Sequence, residues 1–212
     1  MGSCNSGGKG GEGWTGSDEG SEITVLDTTS LISAREGKQL EVDETLQTFK
    51  DMHDEYGYAV DDLQLVTLGA KDASTMAYYD GSNIAFNKTY FRKQLIESSY
   101  ANDVKNGYHP PQGNKTALQA VASHEIGHAL TDKAIAKMGG KQGGAEAILR
   151  KAQKQVGHKG KLADMAGIIS GYAKTNAKEC IAEAFADVYC NGKNAHRESQ
   201  AIVNVMNKYL KS

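Results

Sequence analysis

The run His124-Glu125-Ile126-Gly127-His128 puts three ionisable side chains in the middle of an otherwise apolar helix. Leu118, Val121, Ala122, Ala129 and Leu130 surround them, and Thr116 to Lys137 reads as one helical segment. Polar side chains among apolar neighbours need partners, so a fold that accepts this helix has to supply them. Residues four apart share one face of a helix. His124 and His128 can therefore grip one Zn²⁺ at the usual ~2.0–2.1 Å. Glu125 then projects beside the metal without binding it, placed to take a proton from an attacking water. A metal that lowers the pKa of water to roughly 7 makes a carboxylate an adequate base. The competing reading, two solvated histidines on an exposed face, conflicts with the apolar flanks. Gly127 costs the helix about 1 kcal/mol relative to alanine, which implies close approach by another segment.

A catalytic zinc needs a third protein ligand and an open position. The position six residues after His128 is Ala134, so a third histidine is not supplied there. His53, His109, His158 and His196 read as loop or surface residues. A later helix carries Glu179, Glu183 and Asp187 at every fourth residue, an acidic stripe among alanines and aromatics. Such a stripe is ordinarily a solvated face, but these neighbours imply burial, and buried carboxylates require a cation or a hydrogen-bond donor. Glu179 is the expected third ligand. Glu183, one turn on, is placed to accept the outer N–H of a ligating histidine. Asp187 is either a second such partner or a surface acid.

The motif His124-Glu125-Ile126-Gly127-His128-Ala129-Leu130, then Tyr172, then Glu179-x-x-x-Glu183-Ala184-Phe185, resembles the anthrax lethal factor and Pro-Pro endopeptidase group of gluzincins. The same helix, with Asn176 before it, also resembles the C-terminal domains of some phage minor head proteins. The likeness covers about residues 115–190. It implies a zincin-like fold, with zinc on His124, His128 and Glu179. It further implies that Tyr172, seven residues before Glu179, stabilises the oxyanion. In that family a peptide adds beside an edge strand before the metal helix, which corresponds here to Asn83, Ile84, Ala85 and Phe86. An ordinary hairpin strand is the alternative reading of those four. The Cys180 position is aromatic in many relatives, but its side chain should point away from that of Glu179.

Residues 1–20 are rich in glycine and serine, a composition suited to a flexible tail. Residues 21–212 read as a single domain, with a helix-and-sheet lobe over 21–114 and a helical lobe over 115–212 carrying the zinc site. Val42, Leu46, Phe49 and Met52 predict a helix that stops at Gly57. Leu63–Leu68, Thr75–Tyr79 and Ile84–Phe86 predict a small, mostly antiparallel sheet. Residues 102–114 hold both prolines and predict a loop. Helices are expected over about 145–156, 176–190 and 195–210. Sheet first and helices afterwards is an α+β order.

A net charge of −2 with acids and bases intermixed offers no basic field for nucleic acid. No apolar run approaches the ~20 residues that span a bilayer, and no apolar signal core is visible near the start. Gly2 and Ser6 fit the loose myristoylation pattern, which is short and promiscuous. Cys180 and Cys190 lie ten residues apart in one predicted helix, ~15 Å of rise and too far to bridge. Cys180 reads as a small buried residue, and the cysteine usage leans toward a reducing compartment. These readings converge on a zinc-dependent endopeptidase acting on a peptide or protein substrate. The rival is a catalytically silent structural or interaction module of a phage head that keeps the fold.

Overall fold

A computed structural model describes residues 23–25, 28–57, 63–66, 72–81, 84–140 and 142–212. The expected tail, Asn83 and Gly2 lie outside them. The described residues form an α+β fold whose elements run β1 (Ile23–Val25), α1 (Thr28–Tyr56), β2 (Leu63–Val66), β3 (Ala77–Tyr79), β4 (Ile84–Asn87), α2 (Lys93–Lys105), α3 (Ala117–Lys137), α4 (Gly144–Val156), α5 (Leu162–Ile169), α6 (Ala177–Asn191) and α7 (Arg197–Leu210). Among the described residues no helix is long and apolar enough to cross a membrane.

Two compact units divide the chain. Of the described residues, one holds those up to Asn102 together with Thr116–Glu125, the other Asp103–Lys115 and those of Ile126–Ser212. The division thus falls inside α3, between Glu125 and Ile126. Residues 103–115 group with the later helices.

The first unit is built on a four-stranded sheet in the order β1-β2-β4-β3. β3 and β4 are antiparallel, as expected; β1, which was not expected, is antiparallel to β2, whereas β2 and β4 run parallel with Leu63 opposite Ile84. β4 is therefore an inner strand, and all four of its residues are buried. This corrects the reading of Ile84, Ala85 and Phe86 as an edge. Ile84, Ala85 and Phe86 expose no surface and have a strand on each side, so no peptide can add there. β3 stands at that end of the sheet. Phe86 and Phe91 meet edge to face at 5.5 Å. Phe49 and Met52 of α1 are buried as their helical spacing predicts. α1 stops at Gly57, whose φ of 67° suits a helix terminus.

α2 was not anticipated, because its serines, asparagine and tyrosine give a weak helical pattern. It serves α3 directly: Glu97 Oε1 accepts the N–H of Ala117 at 2.9 Å. Thr116 and Gln119 add a reciprocal capping box at 3.3 and 3.1 Å. Three otherwise unmatched donors at the start of α3 are thereby satisfied.

In the second unit α4, α6 and α7 pack on one another, and α5 joins them. Their buried residues, among them Ile148, Leu149, Ile181, Phe185, Ile202 and Met206, recur at helical spacing. α5 was also unanticipated: eight residues, mostly apolar, show no clear period.

Candidate metal centre

His124 and His128 sit one turn apart on α3, each 2% exposed, and Glu179 of α6 is 1% exposed. One ligand-capable atom from each of the three lies within 4.8 Å of the other two. His128 Nε2 is 3.2 Å from Glu179 Oε2. Two atoms each ~2.0–2.1 Å from a shared tetrahedral ion stand about 3.3–3.4 Å apart, so that pair already has ligand spacing. The same distance suits a plain hydrogen bond between them. A hydrogen-bonded pair, however, needs no second imidazole within 4.8 Å. The donor set, two imidazole nitrogens and one carboxylate oxygen, fits a divalent cation, and the cation would offset burial of the carboxylate. A buried His-His-Glu group able to hold a metal ion is thus present. Glu125 is fully buried on the same turn of α3.

The local sequence explains how α6 delivers its ligand. Asn176 caps α6, its side-chain oxygen accepting the N–H of Glu179 at 3.0 Å. Glu179 therefore sits in the first turn, where the helix dipole also favours a negative charge. The close approach implied by Gly127 is made by this same helix. A Cβ on Gly127 would lie 3.0 Å from Ala182 Cα and 3.1 Å from Phe185 Cβ. Lys178 of α6 also pairs with Asp132 of α3 at 2.6 Å, a half-exposed contact of small energetic weight.

The three acids of the stripe have separate surroundings. Glu183, 1% exposed, accepts the Ser170 hydroxyl on Oε2 at 2.7 Å and lies 3.0 Å from His109 Nδ1 through Oε1. His109 is in the loop as expected, but it is buried, not a surface residue. Asp187 is neither a surface acid nor engaged with the ligand histidines in its resolved bonds. It accepts the backbone N–H of His196 and contacts that ring's Nδ1, both at 2.9 Å, and also accepts from Asn191. His196 is the N-cap of α7, so Asp187 ties the start of one helix to the end of another.

Tyr172 lies in a short 3₁₀ turn, Tyr172–Lys174, that packs on α6. The residue is 5% exposed, and its ring lies 5.1 Å from that of Tyr108 and 5.5 Å from that of His109. Burial, and then the charge of Glu183, push the Cys180 thiol up to about 12. That agrees with a packed residue and not a nucleophile. Local spacing could not have found the partners His109 and Ser170. His109 is 74 residues from Glu183, and neither residue belongs to a periodic pattern.

The chain matches no protein-family profile, no curated protein and no solved structure.

Proposed function

We propose that this chain is a zinc-dependent endopeptidase of gluzincin type with a zincin-like fold. The observation that carries the reading is the buried His124-His128-Glu179 group with a further buried glutamate, Glu125, next to its first histidine. A metal held only for stability needs no such extra acid. Zinc, when held by these three residues, supplies a Lewis acid that polarises a carbonyl and makes water a nucleophile near neutral pH. Glu125 accepts the proton of the attacking water and returns it to the leaving amine. Tyr172 donates a hydrogen bond to the oxyanion that develops on the scissile carbonyl. Removing one such donor costs about 10²–10³ in kcat in comparable sites. The burial of Tyr172 supports that role, since a donor held by packing needs little reorganisation. A peptide that joins the sheet as an added strand does so beside β3 and not along Ile84, Ala85 and Phe86.

The test is incubation of the purified protein with a degenerate peptide library, with and without a chelator. Cleavage that the chelator abolishes and zinc restores is expected of the wild type. Glu125→Gln should bind zinc and lose turnover by roughly 10²–10⁴-fold. Wild-type protein loaded with zinc that cuts no peptide, or a Glu125→Gln variant that cuts equally well, contradicts the reading.

A further inference from the structure

We infer that His109 is a positioning residue for Tyr172, holding the turn that carries the phenol against α6 by way of Glu183. The inference rests on the peptidase reading for what Tyr172 does, but the placement itself stands on independent contacts.

His109 Nδ1 lies 3.0 Å from Glu183 Oε1, and the two side chains are 1% and 2% exposed. The other oxygen of Glu183 accepts from Ser170 Oγ at 2.7 Å, and Ser170 Oγ in turn accepts the N–H of Ala173 at 3.0 Å. One carboxylate thus gathers the 107–109 segment and the 170–173 turn. The two segments are also joined directly. Gly171 donates to Gly107 O at 2.7 Å, and Tyr172 donates to Tyr108 O at 3.0 Å. A Cβ on Gly171 would lie 3.1 Å from Gly107 O, so a larger residue there would press the two segments apart by a few tenths of an ångström. The rings then close the arrangement, with His109 edge-on to Tyr172 at 73° and Tyr108 tilted beside it.

Glu183 stands one turn after Glu179 on α6, so whatever is fixed to Glu183 is held in register with that ligand. Ser170 supplies Glu183 with one donor, and the imidazole Nδ1–H supplies a second on the opposite oxygen. Asp103 lies on the approach to the same loop, its carbonyl accepting the N–H of Tyr108 at 2.8 Å. Burial raises its carboxyl above the ordinary range, and His109 is the main influence opposing that rise.

The test combines tyrosine-selective ¹³C NMR with kinetics on the full chain. Tyr172 signals are assigned by their loss in Tyr172→Phe. His109→Ala should shift or broaden them, and His109→Asn, whose amide nitrogen takes the place of Nδ1, should restore them. His109→Gln carries its amide too far out and should behave like alanine. That pair decides the matter even if the alanine variant does not fold. In the cleavage assay His109→Ala should lower kcat roughly 10–100-fold with KM within about twofold. In the Tyr172→Phe background the same change should cost little, because both act through one group. Unchanged Tyr172 signals in His109→Gln, or equal kcat losses in both backgrounds, overturn the inference. If wild-type protein cleaves nothing, the peptidase reading fails and the NMR comparison alone decides the placement.

Discussion

Gly127→Ala opposes two effects whose sizes can be compared. Glycine to alanine inside a helix ordinarily stabilises by up to about 1 kcal/mol. Here the new methyl would lie 3.0 Å from Ala182 Cα, 3.1 Å from Phe185 Cβ and 3.4 Å from Ala182 O. Carbon atoms at ease are ~3.5–4.0 Å apart, so the contacts must open by several tenths of an ångström. Two of the three atoms are backbone, which moves only if α6 moves. Overpacking of this kind costs typically about 1–3 kcal/mol, more than the propensity gain. The net expectation is a loss of about 1 kcal/mol, seen as a Tm lower by about 2–4 °C for a chain of this size. Because Glu179 lies on the displaced helix, zinc affinity should also fall by roughly tenfold or more. Calorimetry of the metal-free protein and zinc competition against a chromophoric chelator read the two effects separately. A variant that is more stable by the full propensity gain, with unchanged zinc affinity, refutes the packing argument.

Asn176→Ala removes the cap on α6 and should cost about 1 kcal/mol, read by urea unfolding, and it should weaken zinc binding because Glu179 loses its anchored backbone. No change in either quantity would show that the cap is not what fixes Glu179. Glu179→Ala should abolish stoichiometric zinc, measured by elemental analysis after dialysis; retained zinc removes Glu179 from the ligand set. Native protein at neutral pH should leave Cys180 unalkylated by iodoacetamide, since its thiol is buried and pushed up to about 12. Peptide mass mapping reads this, and rapid labelling without urea contradicts it.

The histidines were legible because an i, i+4 pair is a local pattern that needs only a helix to bring it together. Glu179 was legible because buried acids at every fourth residue in an apolar helix need a cation or a hydrogen-bond donor. The same pattern misled at Asp187, which has equal spacing but answers to the N-cap of α7. Periodicity assigns a face, whereas partners come from elements remote in the chain. His109 and Ser170 were invisible for that reason. The misplacement of the edge strand had a readable signal. Ile84-Ala85-Phe86 is an unbroken apolar run, as suits a strand covered on both faces and paired on both sides, not an alternating edge. β3, with a buried Ala77 and half-buried Tyr78 and Tyr79, has the mixed burial of a strand at the end of a sheet. The parallel pairing of β2 with β4 joins strands apart in sequence, and no turn between neighbours announces it.

Zinc K-edge X-ray absorption on protein loaded with one equivalent of zinc tests the central claim most directly. Two imidazole rings and remaining oxygen donors at ~2.0–2.2 Å are predicted, with no sulfur at ~2.3 Å. A sulfur shell, or an imidazole count other than two, would contradict the assignment of His124, His128 and Glu179.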